Sequence, residues 1–482
     1  MYASGQTAFL PSDHSKLTND FYKKYMKSSE SFLQDADSKT FDPEHRRKIN
    51  FNIGRYNDAV AKGFNQFSNH ELGRQRASYL KTQVIENLDK YLIEFETNFT
   101  RNGGKVIWAQ DAAEALTEIH KILKEKKTRS VVKSKTMTTE EIHFNEYLEK
   151  NGIESIETDL GEYIVQLAGQ KPYHIVTPAM HMSRHDISLL FEEKLGIPYT
   201  EDAQELTLTA RRILREKYLE AEVGVSGANF LIADVGGIAV TENEGNARLS
   251  TTFPKTHIAI VGIEKLIPSL TDLGLFWPML AQSGTGQQVT VYNTVLTGPA
   301  KQGESDGPEE MYVVLLDNGR TNLMMDPEKR QALNCIRCGA CLNICPVYRN
   351  IGGHTYGSTY SGPIGSVITP HLDGMEKFKH LSYASSLCGA CTSVCPVKID
   401  LHNLLLLNRN QSVVEGLAPK SERFGFKLWM KAMKNRKLLN LPGSGLKNFM
   451  VGFIFKNSWS KRREDIHVAP KSFQQLWKER KS

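Results

Sequence analysis

Apolar positions in residues 77–99 (ASYLKTQVIENLDKYLIEFETNF) fall at Leu80, Val84, Ile85, Leu88, Leu92 and Ile93. That spacing keeps one apolar stripe on a 3.6-residue turn and predicts a helix, ended by Gly103-Gly104. Residues 15–75 mix Leu, Phe and Tyr with charges in the same amphipathic way and also read as helical. From Lys105 the period changes. Short apolar runs predict strands at 105–109, 130–134, 153–157, 173–178, 229–234, 237–241, 257–262 and 311–318. Helices are predicted between them at 112–126, 183–194 and 205–222, and Thr138 with Glu141 forms a capping-box pattern opening a helix to Lys150. Such alternation means an α/β domain with a largely parallel sheet. Past the Gly- and Pro-rich run 298–308, helices are expected at 326–334, opened by Asp326-Pro327, and at 400–415. The chain therefore divides into an N-terminal helical segment (1–75), an α/β domain (76–320), an all-helical module (321–415) and a tail (416–482).

All seven cysteines lie inside the helical module. Residues 335–346 read C-x2-C-x2-C-x3-C-P, from Cys335, Cys338, Cys341 and Cys345 with Pro346. Cys388, Cys391 and Cys395 with Pro396 repeat the run, with Ser385 at the first position. Three thiolates at i, i+3 and i+6 reach three irons of one cube, and the fourth, before proline, is carried to a second cube. The spacing thus predicts two cubane clusters with crossed ligands: Cys335, Cys338, Cys341 and Cys395 on cluster one, and Cys345, Cys388 and Cys391 on cluster two. Disulfides fit poorly with an odd count at tight spacing. Structural zinc leaves the third cysteine of each run without a role. For cluster two the options are a [4Fe-4S] with Ser385, His380 or water on the fourth iron, a ligand from a partner, or a [3Fe-4S]; the first is preferred. His354 and His371, in the loop between the runs, are weaker ligand candidates.

Charge changes the picture only at the end of the chain. Residues 420–482 hold 16 Lys and Arg against 4 Asp and Glu, while the whole chain carries a net +6. The aromatics among them (Phe424, Phe426, Trp429, Phe449, Phe453, Phe455, Trp459, Trp477) favour contact with a protein or a membrane surface. No nucleic-acid partner is expected, because no helix-turn-helix or RNA-binding signature occurs. Met1–Asp20 lacks a signal-peptide pattern, and no uncharged apolar run approaches about 18 residues, so the cytoplasm is the default location.

Loops after predicted strands supply candidate ligand residues. Lys133 and Lys135 suit an anion at a helix start. Gly224-Val225-Ser226-Gly227 reads as a loop before a strand. Glu242 and Asn246, with the residues between them, offer carboxylates and amides on a tight turn. No G-x-G-x-x-G after a strand, no Walker A and no G-x-S-x-G occurs, so nicotinamide, nucleotide hydrolysis and esterase chemistry lack their usual support.

Together these segments resemble the lactate utilization protein B family. The marks are VVKSKTM (131–137), ETDLGEYIVQL (157–167), GANFLIADVGG (227–237), TENEGNARL (241–249), HIAIVGIEKLIP (257–268) and LDNGR (316–320), followed by both cysteine runs. The resemblance implies two [4Fe-4S] clusters and an electron carrier in oxidation of L-lactate to pyruvate. It also implies lactate utilization A and C type proteins as partners, and an α/β domain related to sugar-phosphate isomerases and coenzyme A transferases. The electron acceptor is left open. Two other functions stay in view: that the chain itself carries the lactate-oxidising site, and that it is a cluster-based sensor.

Overall fold

The computed structural model describes residues 29–435, 437–438, 443–456 and 463–481; residues 15–28 of the expected N-terminal helices, and Trp459, lie outside them. The chain forms two compact units, Met1–Gln411 and Ser412–Ser482.

Among the described residues of the first unit are ten strands: β1 (Lys105–Ala109), β2 (Ser130–Lys133), β3 (Glu154–Glu157), β4 (Val223–Ser226), β5 (Phe230–Ile232), β6 (Gly237–Glu242), β7 (Thr256–Gly262), β8 (Leu266–Ile267), β9 (Tyr292–Leu296) and β10 (Glu310–Leu316). Six make the expected parallel sheet, in the order β1-β10-β7-β4-β2-β3. Its inner strands, rich in Val, Ile and Leu, are buried at nearly every position because both faces are covered. Ile258, Ile260 and Val314 meet the helix Ala112–Glu125 on one face. Ala259, Val261, Val313 and Leu315 meet Phe95 and Phe99 on the other. The remaining strands form a smaller mixed sheet, β8-β5-β6-β9, which the apolar pattern did not announce.

Several local expectations change. Residues 224–227 are not a loop: Val223–Ser226 is β4, buried throughout and paired with β2 and β7. Gly224 allows this, since a Cβ there would stand 1.8 Å from the Ser250 carbonyl oxygen. Residues 173–178 form no strand, because Pro172 and Pro178 remove ladder donors. The stripe over 77–99 is carried by two helices, His70–Glu86 and Leu88–Arg101, parted at Asn87. The Asn87 side chain donates back to the Gln83 carbonyl (2.9 Å) and competes with the helix ladder. Thr136, not Thr138, caps the helix Met137–Glu141, and the Glu141 carboxylate turns inward to Arg320. Residues 326–334 hold a 3-10 turn, Arg330–Asn334, rather than a long helix.

The regular structure of the cysteine region is all helical, as expected. Less expected is what covers it. Phe32, Ile49 and Ile53, from the helices Ser29–Thr40 and Pro43–Gly63, share one apolar core with Leu342, Tyr348 and Tyr356. The N-terminal helices thus pack over the first cysteine run rather than extending the sheet.

The second unit contains the helices Lys420–Lys434, Ser444–Phe455 and Phe473–Lys481. They leave Phe424, Trp429, Phe449 and Phe453 exposed. Among the described residues no helix is long and apolar enough to cross a membrane.

Candidate iron–sulfur site and an adjoining polar cavity

Both cysteine runs fold the same way. Arg337 (φ 62°) and Leu387 (φ 54°) hold the left-handed conformation one residue before Cys338 and Cys388. Gly339 (φ 81°) and Gly389 (φ 79°) hold it one residue after. Each glycine opens a short helix, Ala340–Ile344 or Ala390–Val394, that ends at Cys345 or Cys395 just before proline. A left-handed residue, a cysteine and a left-handed glycine curl the backbone inward, so the side chains converge instead of alternating.

They converge on two hollows. Cys335, Cys338, Cys341 and Cys395 line one, with Ile336, Leu342, Ile364 and Val397 among its apolar walls. Cys345, Cys388 and Cys391 line the other, together with Ser385 and His402. Electrostatics divides the thiols in the same way: Cys338, Cys341 and Cys395 feel Cys335, whereas Cys391 feels Cys345 and Cys388. Backbone N–H groups donate toward the sulfurs, from Arg337 to Cys335 (3.4 Å), Tyr348 to Cys345 (3.5 Å) and Ile399 to Cys395 (3.3 Å). All seven thiols are free of disulfides.

This donor set fits iron–sulfur cubes. Burial pushes the Cys395 and Cys391 thiols up to about 11, and Cys338 and Cys341 are raised as well. Four thiolates packed in an apolar hollow are costly unless bonded cations neutralise them. Iron together with the N–H donors meets that need.

Ser385 occupies the place of a cysteine in more than sequence. The Leu387 N–H donates to its hydroxyl (3.1 Å) as the Arg337 N–H does to the Cys335 sulfur. None of His354, His371 and His380 lines either hollow. His354 bonds the Lys171 carbonyl oxygen, His371 bonds Asn408, and His380 lies against Phe32 and Phe378. His402 was missed by sequence reasoning because its distance from the cysteines closes only through the Ala390–Val394 turn. Its Nδ1 meets Thr392 (2.9 Å) and Asp400 (2.9 Å).

The carboxyl ends of β2, β3, β4 and β7 open onto a third cavity, of about 280 Å³, where parallel sheets place ligands. Lys135, Glu242 and Asn246 line it, as do Lys265, Arg337, Cys338 and Tyr360. Lys133 does not. It is buried in a pair with Glu157 (2.7 Å), beside Glu140 (3.5 Å); burial disfavours its charge, but Glu157, Glu140 and Glu162 together outweigh that and hold the ammonium charged. Glu242 accepts the Ala247 (2.6 Å) and Arg248 (2.9 Å) N–H groups and so secures the helix Asn246–Thr252. Arg337, Cys338 and Ile175 belong to the walls of this cavity and of the four-cysteine hollow alike.

A buried ionic chain fixes that shared wall to the sheet. Arg337 lies 4.5 Å over the Tyr360 ring and pairs with Glu264 (3.2 Å), which follows β7. Glu264 also receives Arg320 Nε (2.5 Å), and Arg320 binds Glu141 through two N–H groups at 2.8 Å each. The Tyr360 hydroxyl donates to the same Glu141 carboxylate (2.6 Å). Arg320 belongs to the LDNGR segment, but nothing in the linear sequence pairs it with Glu141 or Glu264.

Comparison with known proteins places these features. Residues 92–316 match the LUD domain family, and residues 331–399 match the 4Fe-4S dicluster domain. Lactate utilization protein B of Bacillus licheniformis is 49% identical over 75% of this chain and 76% of its own length. Its counterpart from Bacillus subtilis is 48% identical with the same coverage. A solved DUF162 family protein from Deinococcus radiodurans aligns with 48% of this chain and 98% of its own, at 14% identity and a TM-score of 0.27, a likeness too slight to carry an argument.

Proposed function

Because the chain belongs to the lactate utilization protein B family, we propose that it is the iron–sulfur electron-transfer subunit in oxidation of L-lactate to pyruvate. The observation that supports this most is the crossed partition of seven cysteines into two adjoining hollows. Cys335, Cys338, Cys341 and Cys395 would hold one [4Fe-4S] cluster. Cys345, Cys388 and Cys391 would hold the second, with Ser385 at its fourth position. Such clusters supply one-electron uptake and release.

The chain's own residues do the rest. The apolar walls exclude water from the four-cysteine hollow, and the N–H donors hold negative charge on sulfur. Cys388 is exposed, so the second set meets the surface. That edge is where a partner would dock, with the lactate utilization A and C type proteins as the proposed partners. The exposed aromatics of the basic tail suit a membrane surface carrying the acceptor.

Anaerobically purified protein should be brown, contain about eight irons per chain on the two-cube count, and bleach with dithionite. A colourless zinc protein would refute the reading. Lactate-dependent dye reduction by the isolated chain would move the oxidising site onto this subunit.

A further inference from the structure

Lys265 and Arg337 stand out among the cations of the 280 Å³ cavity. Lys265 is half-buried and makes no hydrogen bond or ion pair with any described residue; burial and the neighbouring Arg337 pull its ammonium down to about 8, against the attraction of Glu264. The Arg337 side chain is 10% exposed, and its Nη1 is buried without a hydrogen-bond partner among the described residues. The other charges lining the cavity are already engaged. Lys135 donates to the Val176 carbonyl oxygen (2.6 Å). Glu242 accepts two backbone N–H groups, Glu244 accepts that of Leu160 (3.0 Å), and Asp159 accepts that of Glu162 (3.1 Å). Each carboxylate already holds a backbone donor, while Lys265 and Arg337 Nη1 keep donors in reserve.

A buried guanidinium N–H left without a hydrogen-bond partner is costly, and an anion at this wall satisfies it together with the Lys265 ammonium. The size is close to the lower end of small-molecule sites, at about 300 Å³. Hydroxyl and amide side chains (Ser134, Thr136, Asn229, Asn243, Gln287) complete the lining.

We propose that this cavity binds a small hydroxyl-bearing organic anion, its charged oxygens taken by Lys265 and Arg337 against the wall that Cys338 shares with the four-cysteine hollow. The charged group is a carboxylate or a phosphate; both present the same anionic oxygens to these donors. The inference rests on the electron-transfer reading only for its spectroscopic signature, through Cys338 and Arg337.

The test is isothermal titration calorimetry on the full, cluster-loaded chain with L-lactate, pyruvate and inorganic phosphate as separate probes. At least one should bind saturably. Lys265→Met should weaken it about tenfold to a hundredfold, the range for a charge-assisted hydrogen bond, and Lys265→Arg should restore most of the loss. Lys265 makes no ion pair with a described residue but its charge helps hold Glu264 ionised, so circular dichroism on the variant checks the fold, and recovery of binding in Lys265→Arg separates a lost donor from a lost fold. Response to the acids alone assigns a carboxylate, and response to phosphate alone assigns a phosphate ester. The bound probe should also alter the EPR spectrum of the reduced protein. Absence of saturable binding by all three probes, or binding that Lys265→Met leaves unchanged, overturns the proposal. Iron and sulfide assays on the same samples separate the two readings. A colourless chain that still binds sinks the cluster assignment alone, and a brown chain that does not bind sinks only this one.

Discussion

Replacing Arg320 with methionine isolates the buried chain that joins the sheet to the first cysteine run. Arg320, Glu141 and Glu264 are each 2% exposed at the side chain, so water cannot take over from a missing partner. Removing the guanidinium deletes two N–H donors to Glu141 and one to Glu264. Glu264 keeps Arg337, and Glu141 keeps Tyr360 and Asn318 (2.7 Å), which offset part of the loss. Breaking a buried pair from one side costs about 3–5 kcal/mol, and the residual donors put the expectation near the lower figure. The pKa of Glu264 gives the same scale. Burial pushes its carboxyl up, but Arg320 and then Arg337 outweigh that and hold it at about 2, against 4.5 ordinarily. A depression of that size corresponds to about 3 kcal/mol at neutral pH. The contribution is complete above the unfolded value of 4.5 and disappears as pH falls through the folded value of about 2. Anaerobic urea denaturation at pH 7, followed by far-ultraviolet circular dichroism, measures the effect. Arg320→Lys, which keeps the charge but not the two-pronged geometry, should fall between wild type and Arg320→Met. A loss under about 1 kcal/mol for the methionine variant, the level of an exposed pair, would refute the claim that this chain holds the two parts together.

Three further outcomes follow from the geometry. Ser385→Cys should supply an eighth thiolate and make the second cluster more resistant to iron loss under chelator, whereas Ser385→Ala should convert part of it to a three-iron form visible by EPR; equal iron retention in both would remove Ser385 from the ligand set. Gly224→Ala should destabilise the chain by several kcal/mol, because β4 must retreat from the Ser250 carbonyl oxygen at 1.8 Å; a melting temperature within about 2 °C of wild type, roughly the effect of a surface change, would contradict that packing. Removing residues 416–482 should abolish sedimentation with anionic vesicles, and in the full chain added salt should weaken it, since each Lys or Arg near such a surface contributes about 1 kcal/mol. Binding indifferent to salt would point instead to the exposed aromatics alone.

The sequence alone carried the class of the fold and the chemistry of the cysteines, because both depend on neighbours along the chain. Strand and helix periods are local, and so is the three-residue step that turns Cys335, Cys338 and Cys341 inward. Even Ser385 was marked by its place in the repeat. Where local signals misled, a neighbouring residue or a tertiary partner won. Proline stopped the 173–178 strand, Asn87 split a helix, and Arg320 drew Glu141 away from a capping role. The N-terminal helices gave no local sign that they would cover the cysteines, since an amphipathic stripe specifies that a face is buried and not what buries it. Lys133 looked like a free cation after a strand and proved to be held by Glu157, more than 20 residues away. Lys265 and Arg337, unremarkable in the sequence, acquired a role only when β7 and the first cysteine run met at one wall. A pair of charges interacts through space over a few ångströms, and no pattern along the backbone encodes that distance.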